Sequence, residues 1–266
     1  MAFLINGTPL DNPDLGWTVQ KGTIPVTAVQ LESTSSSQAG RDGIVPGPST
    51  RKPGTMRFVV ASSTATRGDL LALVAAPQLV ITDSALPGRT ATGKLLSSSP
   101  VTYLGYDDWG EDLFVVEIHE GCWRGELATS AMIPAAPGGA VASVFTGLSA
   151  PVQDAIIRLR GPLTNPQLLD AGGAFLAVDG TLEVGQYLRF DSSSGRAWTT
   201  TEDAWLGGDE VSGLVDYGGP RGVFEITPSF TSPADPRARS GRLTLTSDAY
   251  AAGAGFQVRG RGAYLL

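Results

Sequence analysis

The chain has 266 residues, with 19 Lys and Arg against 26 Asp and Glu, a formal net charge of −7, and only 17% charged residues. One Cys (Cys122) and one His (His119) exclude a disulfide framework and a Cys/His zinc site, and leave His119 as the sole base for a Ser-His-Asp enzyme. No basic cluster provides the electrostatic footprint of a nucleic-acid or anionic-membrane binder, and no apolar run reaches the roughly 18 residues of a membrane span.

The start, Met1 to Leu10, has no basic n-region and only a short apolar run, so it is not expected to be a signal peptide. The lone Cys fits manufacture in a reducing cytoplasm. Trp17 to Gln20, Ile24 to Leu31 and Thr55 to Ala61 are rich in β-formers and predict strands. Between them, Glu32 to Arg51 is a long polar stretch, predicted as a shaped loop or interaction arm. It contains Gly40-Arg41-Asp42-Gly43, where Asp-Gly is a turn signal.

At Thr66 the period changes. Leu70, Leu71, Leu73 and Val74 form a helical stripe that Pro77 ends, predicting a helix near 67–76 with Thr66 as N-cap and Asp69 accepting backbone N–H bonds. Strands are predicted at Leu79–Thr82, Thr90–Leu96 and Val101–Tyr106. From Leu113 to His119, Phe114, Val116 and Ile118 share one face. The segment 128–152 is small, uncharged and rich in Pro and Gly. It reads as a joint, giving a first domain of residues 1–130, a linker 131–150 and a second domain 151–266.

The second part reads as all-β. Ala155, Ile157 and Leu159 alternate with Ile156, Arg158 and Arg160. Val184–Phe190 and Arg196–Thr201 flank the turn cluster Asp191 to Gly195 and predict a hairpin. Val223–Thr227, Arg242–Thr246 and the segment around Phe256 and Val258 complete a series of short strands, the signature of a two-sheet jelly-roll sandwich.

Few constellations offer chemistry. Asp107, Asp108, Glu111 and Asp112 could bind Ca²⁺ or pair as glycosidase carboxylates, but EF-hand spacing is absent and a solubilising acidic loop explains them. His119 and Cys122 need not converge at a strand end. No G-x-S-x-G elbow or phosphate cradle occurs, so the chain is expected to be no enzyme and to carry no cofactor and no metal. Tyr187, Trp198, Trp205 and Tyr217 are either core or a platform for stacking on sugar rings.

The ordered series Phe3-Leu-Ile-Asn-Gly7, Gly16-Trp17, Gly40-Arg-Asp-Gly-Ile-Val-Pro-Gly47, the following strand and helix, Asp154 to Pro162, Gly185 to Asp191 and Arg259 to Leu265 resembles the distal tail proteins (Dit) of long-tailed, non-contractile bacteriophages, in the form typical of phages of high-GC actinobacteria. The series spans nearly the whole chain. The resemblance implies a mostly β chain: an N-terminal β-sandwich or split-barrel-like ring domain with one α-helix, then a galectin-like (jelly-roll) β-sandwich. It implies a structural virion component at the tail tip, assembled in the host cytoplasm. Six copies would form a ring that acts as a hub between the tail tube and the tail-associated lysin, tail-tip and receptor-binding proteins. Genomic DNA would pass through that ring without sequence-specific contact, and no membrane partner is implied. Gly40, Arg41, Asp42 and Gly43 become the expected ring-interface loop, with Arg41 and Asp42 paired at the interface. A net −7 subunit repeated around a ring would repel DNA phosphates. The alternative is a carbohydrate-binding β-sandwich module that adheres to a cell-wall glycan.

Overall fold

The structure is a computed structural model that describes residues 3–265 apart from 21–25, 29–30, 37–44, 105–107, 233 and 236; the side chains of 26–28, 31, 33–36, 45–51 and 101–104 are also left undescribed. The chain is mostly β, with antiparallel sheets and one α-helix among the described residues. It divides into two compact units, Met1–Gly125 with Leu265–Leu266 and Glu126–Tyr264.

The first unit opens with a hairpin whose chemistry is local. Phe3–Ile5 pairs with Thr8–Pro9. Asn6 and Gly7 between them both have positive φ, 51° and 82°, the demand of a two-residue type I′ turn that Asn-Gly meets. Phe3–Ile5 continues onto Leu79–Asp83, which pairs with Thr90–Leu104, then Trp109–Ile118, then Gly54–Ser63, and this last strand takes both Trp17–Val19 and Val26–Ala28 on its far edge. Strict alternation puts Phe114, Val116 and Ile118 wholly inside, with Phe114 directly opposite Phe58, ring centroids 5.5 Å apart. The two strands predicted at 90–96 and 101–106 are one strand, Thr90–Leu104. The run Ser97 to Pro100 does not interrupt it, because register shifts opposite Glu111/Asp112 and Val115/Val116 absorb the misfit, and Pro100, which has no N–H to donate, falls at one of them.

The polar stretch Glu32–Arg51 is not a loop throughout. Leu31–Ser36 and Val45–Arg51 pair as a two-stranded ribbon, a sheet of their own. Its Ser and Thr residues carry no inward apolar parity for the sequence to reveal. Pro46 and Pro48 are tolerated because in a two-stranded ribbon each strand has one edge with no ladder partner among the described residues. Residues 40–43 lie outside the described residues.

The helix runs Arg67–Val74, burying Leu70 and Val74. Thr66 stands at its N-cap without a capping bond from its side chain. Its Oγ1 instead donates to the Gly16 carbonyl at 3.0 Å and shares a 2.8 Å hydrogen bond with Ser63 Oγ. Gly16, at φ 76°, lies so close that a Cβ there would come within 2.9 Å of Thr66 Oγ1. The helix start is held instead by Arg67. Its Nε and Nη2 donate to the two Asp112 carboxylate oxygens at 2.8 and 2.7 Å, and the Asp112 side chain is 2% exposed. Asp112 is thus a buried partner rather than a solubilising charge.

The second unit is a sandwich of two main sheets and also contains a small three-stranded sheet of Thr181–Leu182, Leu163–Thr164 and Ala249–Tyr250. One sheet runs Ala140–Val144, Arg239–Thr246, Gln167–Asp170, Phe175–Val178, Val215–Gly218, with Pro228–Phe230 also on Arg239–Thr246. The other has Ile133–Pro134, Gly255–Leu265, Ile156–Arg160, Tyr187–Asp191, Arg196–Thr200, Asp209–Glu210. Between them pack Ile157, Leu159, Leu188, Phe190, Phe224, Ile226, Leu243, Leu245, Phe256 and Val258, each at most 1% exposed. Phe190 meets Phe224 edge-on, centroids 5.9 Å apart.

The segment 131–150, expected as a linker, is part of this sandwich: it supplies Ile133–Pro134 and Ala140–Val144, and buries Leu148 and Ala150. Its small residues signal close packing here, since Thr244 and Thr246 methyls approach the Gly139 Cα side. Val223–Thr227, expected as a strand, forms only a bridge between Ile226 and Val152. Phe224 and Ile226 are buried, but the backbone leaves the ladder so that Glu225, also buried, can meet Arg221 and Gln153. Val184, expected inside a strand, is 81% exposed in a Gly185 turn, and the strand begins at Tyr187. The predicted hairpin is present, Asp191 opposite Arg196, with Gly195 at φ 68°.

Candidate functional site

The strands Gly255–Leu265, Ile156–Arg160, Tyr187–Asp191 and Arg196–Thr200 give their apolar parity to the core. Their other parity collects cations and rings. The register aligns Gln257, Arg158, Arg189, Trp198 and Glu210 in one transverse row. Arg160 stands opposite Tyr187 in the next row, and Arg259 stands opposite Ile156 on the other side.

Arg158 and Arg189 are directly opposed, and both are buried, 4% and 6% exposed. Cross-strand partners sit about 5 Å apart at Cβ, where like charges repel. The rings shield them. The Arg158 guanidinium lies 4.5 Å from the Trp205 centroid and 5.1 Å from Tyr187, and that of Arg189 lies 4.8 Å from Trp198. Arg259 also approaches Trp205 at 5.6 Å, and Arg160 approaches Tyr187 at 5.8 Å. Cation–π contacts of this sort stabilise by roughly 0.5–2 kcal/mol when desolvated.

Their polar partners are unequal. Arg158 Nη2 donates to Gln257 Oε1, and its Nη1 faces Asp203 as an ion pair. Asp203 and Trp205 both come from the segment 201–208, between the Arg196–Thr200 and Asp209–Glu210 strands. Among the described residues Arg189 has no such carboxylate; its Nη1 is buried with no hydrogen-bond partner, as are Arg158 Nε and Arg158 Nη1, the latter meeting Asp203 as a charge only. The Asp191 carboxylate accepts from Ser193 N–H, Ser193 Oγ and Ser194 Oγ at the hairpin turn. Burial lowers the Arg189 pKa from its ordinary value, and the Asp191 charge opposes that shift. Arg196 at the rim is held bidentately by Glu210 at 3.0 and 2.8 Å.

Tyr187, Trp198 and Trp205 therefore share one face. Tyr217 does not join them: it lies on Val215–Gly218 of the other sheet, its ring 5.0 Å from Phe190. His119 is exposed and Cys122 buried. Among the described residues no three His, Cys, Asp or Glu side chains cluster as a metal site, and no helix is long and apolar enough to cross a membrane. A shallow cavity of about 530 Å³ beside Asp179, Leu214 and Asp216 lacks cationic lining. The arginine row escaped the sequence reading, although Arg158, Arg160, Arg259 and Arg261 recur at period two. Such arginines merge into one surface only once the strand registers are known.

No protein-family model and no curated protein matches the chain. Among solved structures, it is similar to the Dit protein (gp 19.1) of SPP1, described as a paradigm of the hub adsorption apparatus in phages that infect Gram-positive bacteria. The identity is 15%, the coverage 99% of each chain and the TM-score 0.60. That likeness shows a shared fold over nearly the whole length. The phage P2 baseplate in its activated conformation, with Ca and with Sr, matches at 10% identity, over 97–98% of this chain and 97% of that one. Its TM-scores, 0.38 and 0.36, are too low to establish a fold.

Proposed function

We propose that the chain is a structural subunit of a bacteriophage tail tip, a distal tail protein whose copies close into a hexameric ring. The ring continues the tail tube and serves as hub for the tail-associated lysin, tail-tip and receptor-binding proteins. The observation that carries this reading is the full-length fold shared with SPP1 Dit. Two physical features support it. The Leu31–Ser36 and Val45–Arg51 ribbon is a sheet of its own whose outer edges have no partner among the described residues, and ring closure is one way to cover edges. The candidate site gathers buried cations and rings on one sheet face, which suits contact with another chain.

The segment between the ribbon strands carries Gly40-Arg41-Asp42-Gly43, and we place the Arg41–Asp42 pair at the ring interface. The net charge of −7, repeated six times, would keep DNA phosphates from adhering in the lumen. Light scattering and electron microscopy of the purified chain test the reading: the expected result is a ring of six times 27.6 kDa. A monomer at every accessible concentration overturns it. Arg41→Ala with Asp42→Ala should lower the assembly state, and intact hexamers would remove the loop from the interface.

The carbohydrate-binding alternative needs open ring faces. Guanidinium groups lie over Tyr187, Trp198 and Trp205, which weighs against stacking of a neutral sugar. A glycan array with the full chain checks this.

A further inference from the structure

We infer that the Arg158–Arg189 face is a docking site for an acidic segment of a partner protein, with Arg189 receiving a carboxylate from it. The inference concerns the second unit and does not depend on ring formation.

Two cations opposed across neighbouring strands, both more than nine-tenths buried, repel each other and forgo hydration. The protein compensates one of them. Asp203 reaches Arg158, and its own side chain remains 66% exposed, so a carboxylate can approach this face from solvent. Trp205, two residues on, stacks against the same guanidinium. The segment 201–208 thus demonstrates the chemistry that the face accepts: a carboxylate beside an aromatic ring on a peptide. Arg189 is the half left uncompensated. It has a ring on one side at Trp198, a buried Nη1 without a partner, and no acid at ion-pair distance among the described residues. A guanidinium presents its donors in a planar fork that matches a carboxylate. The rim matches in sign: Arg160 and Arg259 flank the pair on a chain whose overall charge is negative. The acids on the same face are already engaged, Asp203 with Arg158, Glu210 with Arg196 and Asp191 with the Ser193 and Ser194 hydroxyls, so arginine is what the face offers an acidic partner.

The probe is a fluorescein-labelled peptide copying residues 201–208, Thr-Glu-Asp-Ala-Trp-Leu-Gly-Gly, titrated by anisotropy against the full chain at low salt. Saturable binding is expected. Arg189→Gln should weaken it by about tenfold or more, the effect of losing hydrogen bonds to a charged group. Lys94→Gln, the same charge change in the first unit, should leave it unaltered. Arg189→Lys keeps the charge without the fork and should weaken binding like Arg189→Gln, while its melting temperature reports folding. No binding by the wild type overturns the inference, as does equal weakening by Lys94→Gln and Arg189→Gln. Calorimetric binding of inorganic phosphate by a wild type that does not bind the peptide would replace the acidic segment with a phosphate-bearing polymer and also overturn it. Light scattering on the same samples separates this result from the ring reading: hexamers that ignore the peptide sink only the docking site, and monomers that bind it sink only the ring.

Discussion

Arg67 and Asp112 should be energetically coupled, and replacing Arg67 by Met tests this. The substitution keeps the stem and removes the fork. It strands a carboxylate whose side chain is 2% exposed and which loses hydrogen bonds of 2.8 and 2.7 Å. Removing one partner of a fully buried pair costs about 3–5 kcal/mol. The Arg67 side chain is 44% exposed, so water can enter where the fork was, and the cost should drop to about 2–3 kcal/mol. For a unit of this size that is roughly a 6–12 °C fall in melting temperature. Asp112→Leu alone leaves a solvated Arg67 and should cost less. The double variant, with both charges gone, should be more stable than the Arg67→Met single. Urea melts of the wild type, both singles and the double give the coupling directly. Coupling below about 0.5 kcal/mol would mean that the helix start is held by the packing of Leu70 and Val74 alone, and the argument from a stranded carboxylate would fail.

Asp170 gives a pH-dependent signal. Burial pushes its carboxyl above the ordinary carboxylate range, against the Thr227 hydroxyl, the Gly172 N–H and the Thr227 N–H, which favour the charged form; nearby Glu225 pushes it up further. The folded state thus holds the proton more tightly than the unfolded chain, so this group's contribution to stability falls as pH rises from the ordinary Asp value through the raised one. Asp170→Asn should remove that slope and cost roughly 1–3 kcal/mol, because an amide nitrogen cannot accept from Gly172 N–H. A wild-type minus variant difference that is flat between pH 3 and 8 would refute the assignment. Gly241→Ala should destabilise by about 1–3 kcal/mol, since its Cβ would lie 2.2 Å from Ile226 Cγ2 and 3.2 Å from Val144 Cγ2; an unchanged urea midpoint would show that Ile226 can move aside.

The core strands were readable because one face pays for the other: Phe114, Val116 and Ile118 announce their strand, and Leu243 and Leu245 theirs. Turn chemistry was equally plain at Asp191 to Gly195. What stayed hidden had no periodic signal. The Glu32–Arg51 ribbon has no alternating apolar residues in its sequence and contains two prolines. The segment 131–150 has the composition of a linker, yet Ala140, Ala142, Leu148 and Ala150 are buried in the sandwich. Asp112 sits among acids in sequence, and its pairing with Arg67, 45 residues away, has no local signal. In the candidate site, the aromatic residues were visible, but their arginine partners lie on other strands, and Tyr217 belongs to the opposite sheet.

The alternation that gathers arginines on one side of the second unit also governs how safely it folds. Strand pairing errs most cheaply by a single residue, and such a slip exchanges the two faces. Here a slip of Ile156–Arg160 or Tyr187–Asp191 would drive Arg158 or Arg189 into the space held by Phe224 and Phe256. Each misplaced guanidinium would cost several kcal/mol, a large share of the 5–15 kcal/mol that a domain commands in total. The same arginines that shape the finished face make the misaligned sheet unstable and so favour the native register.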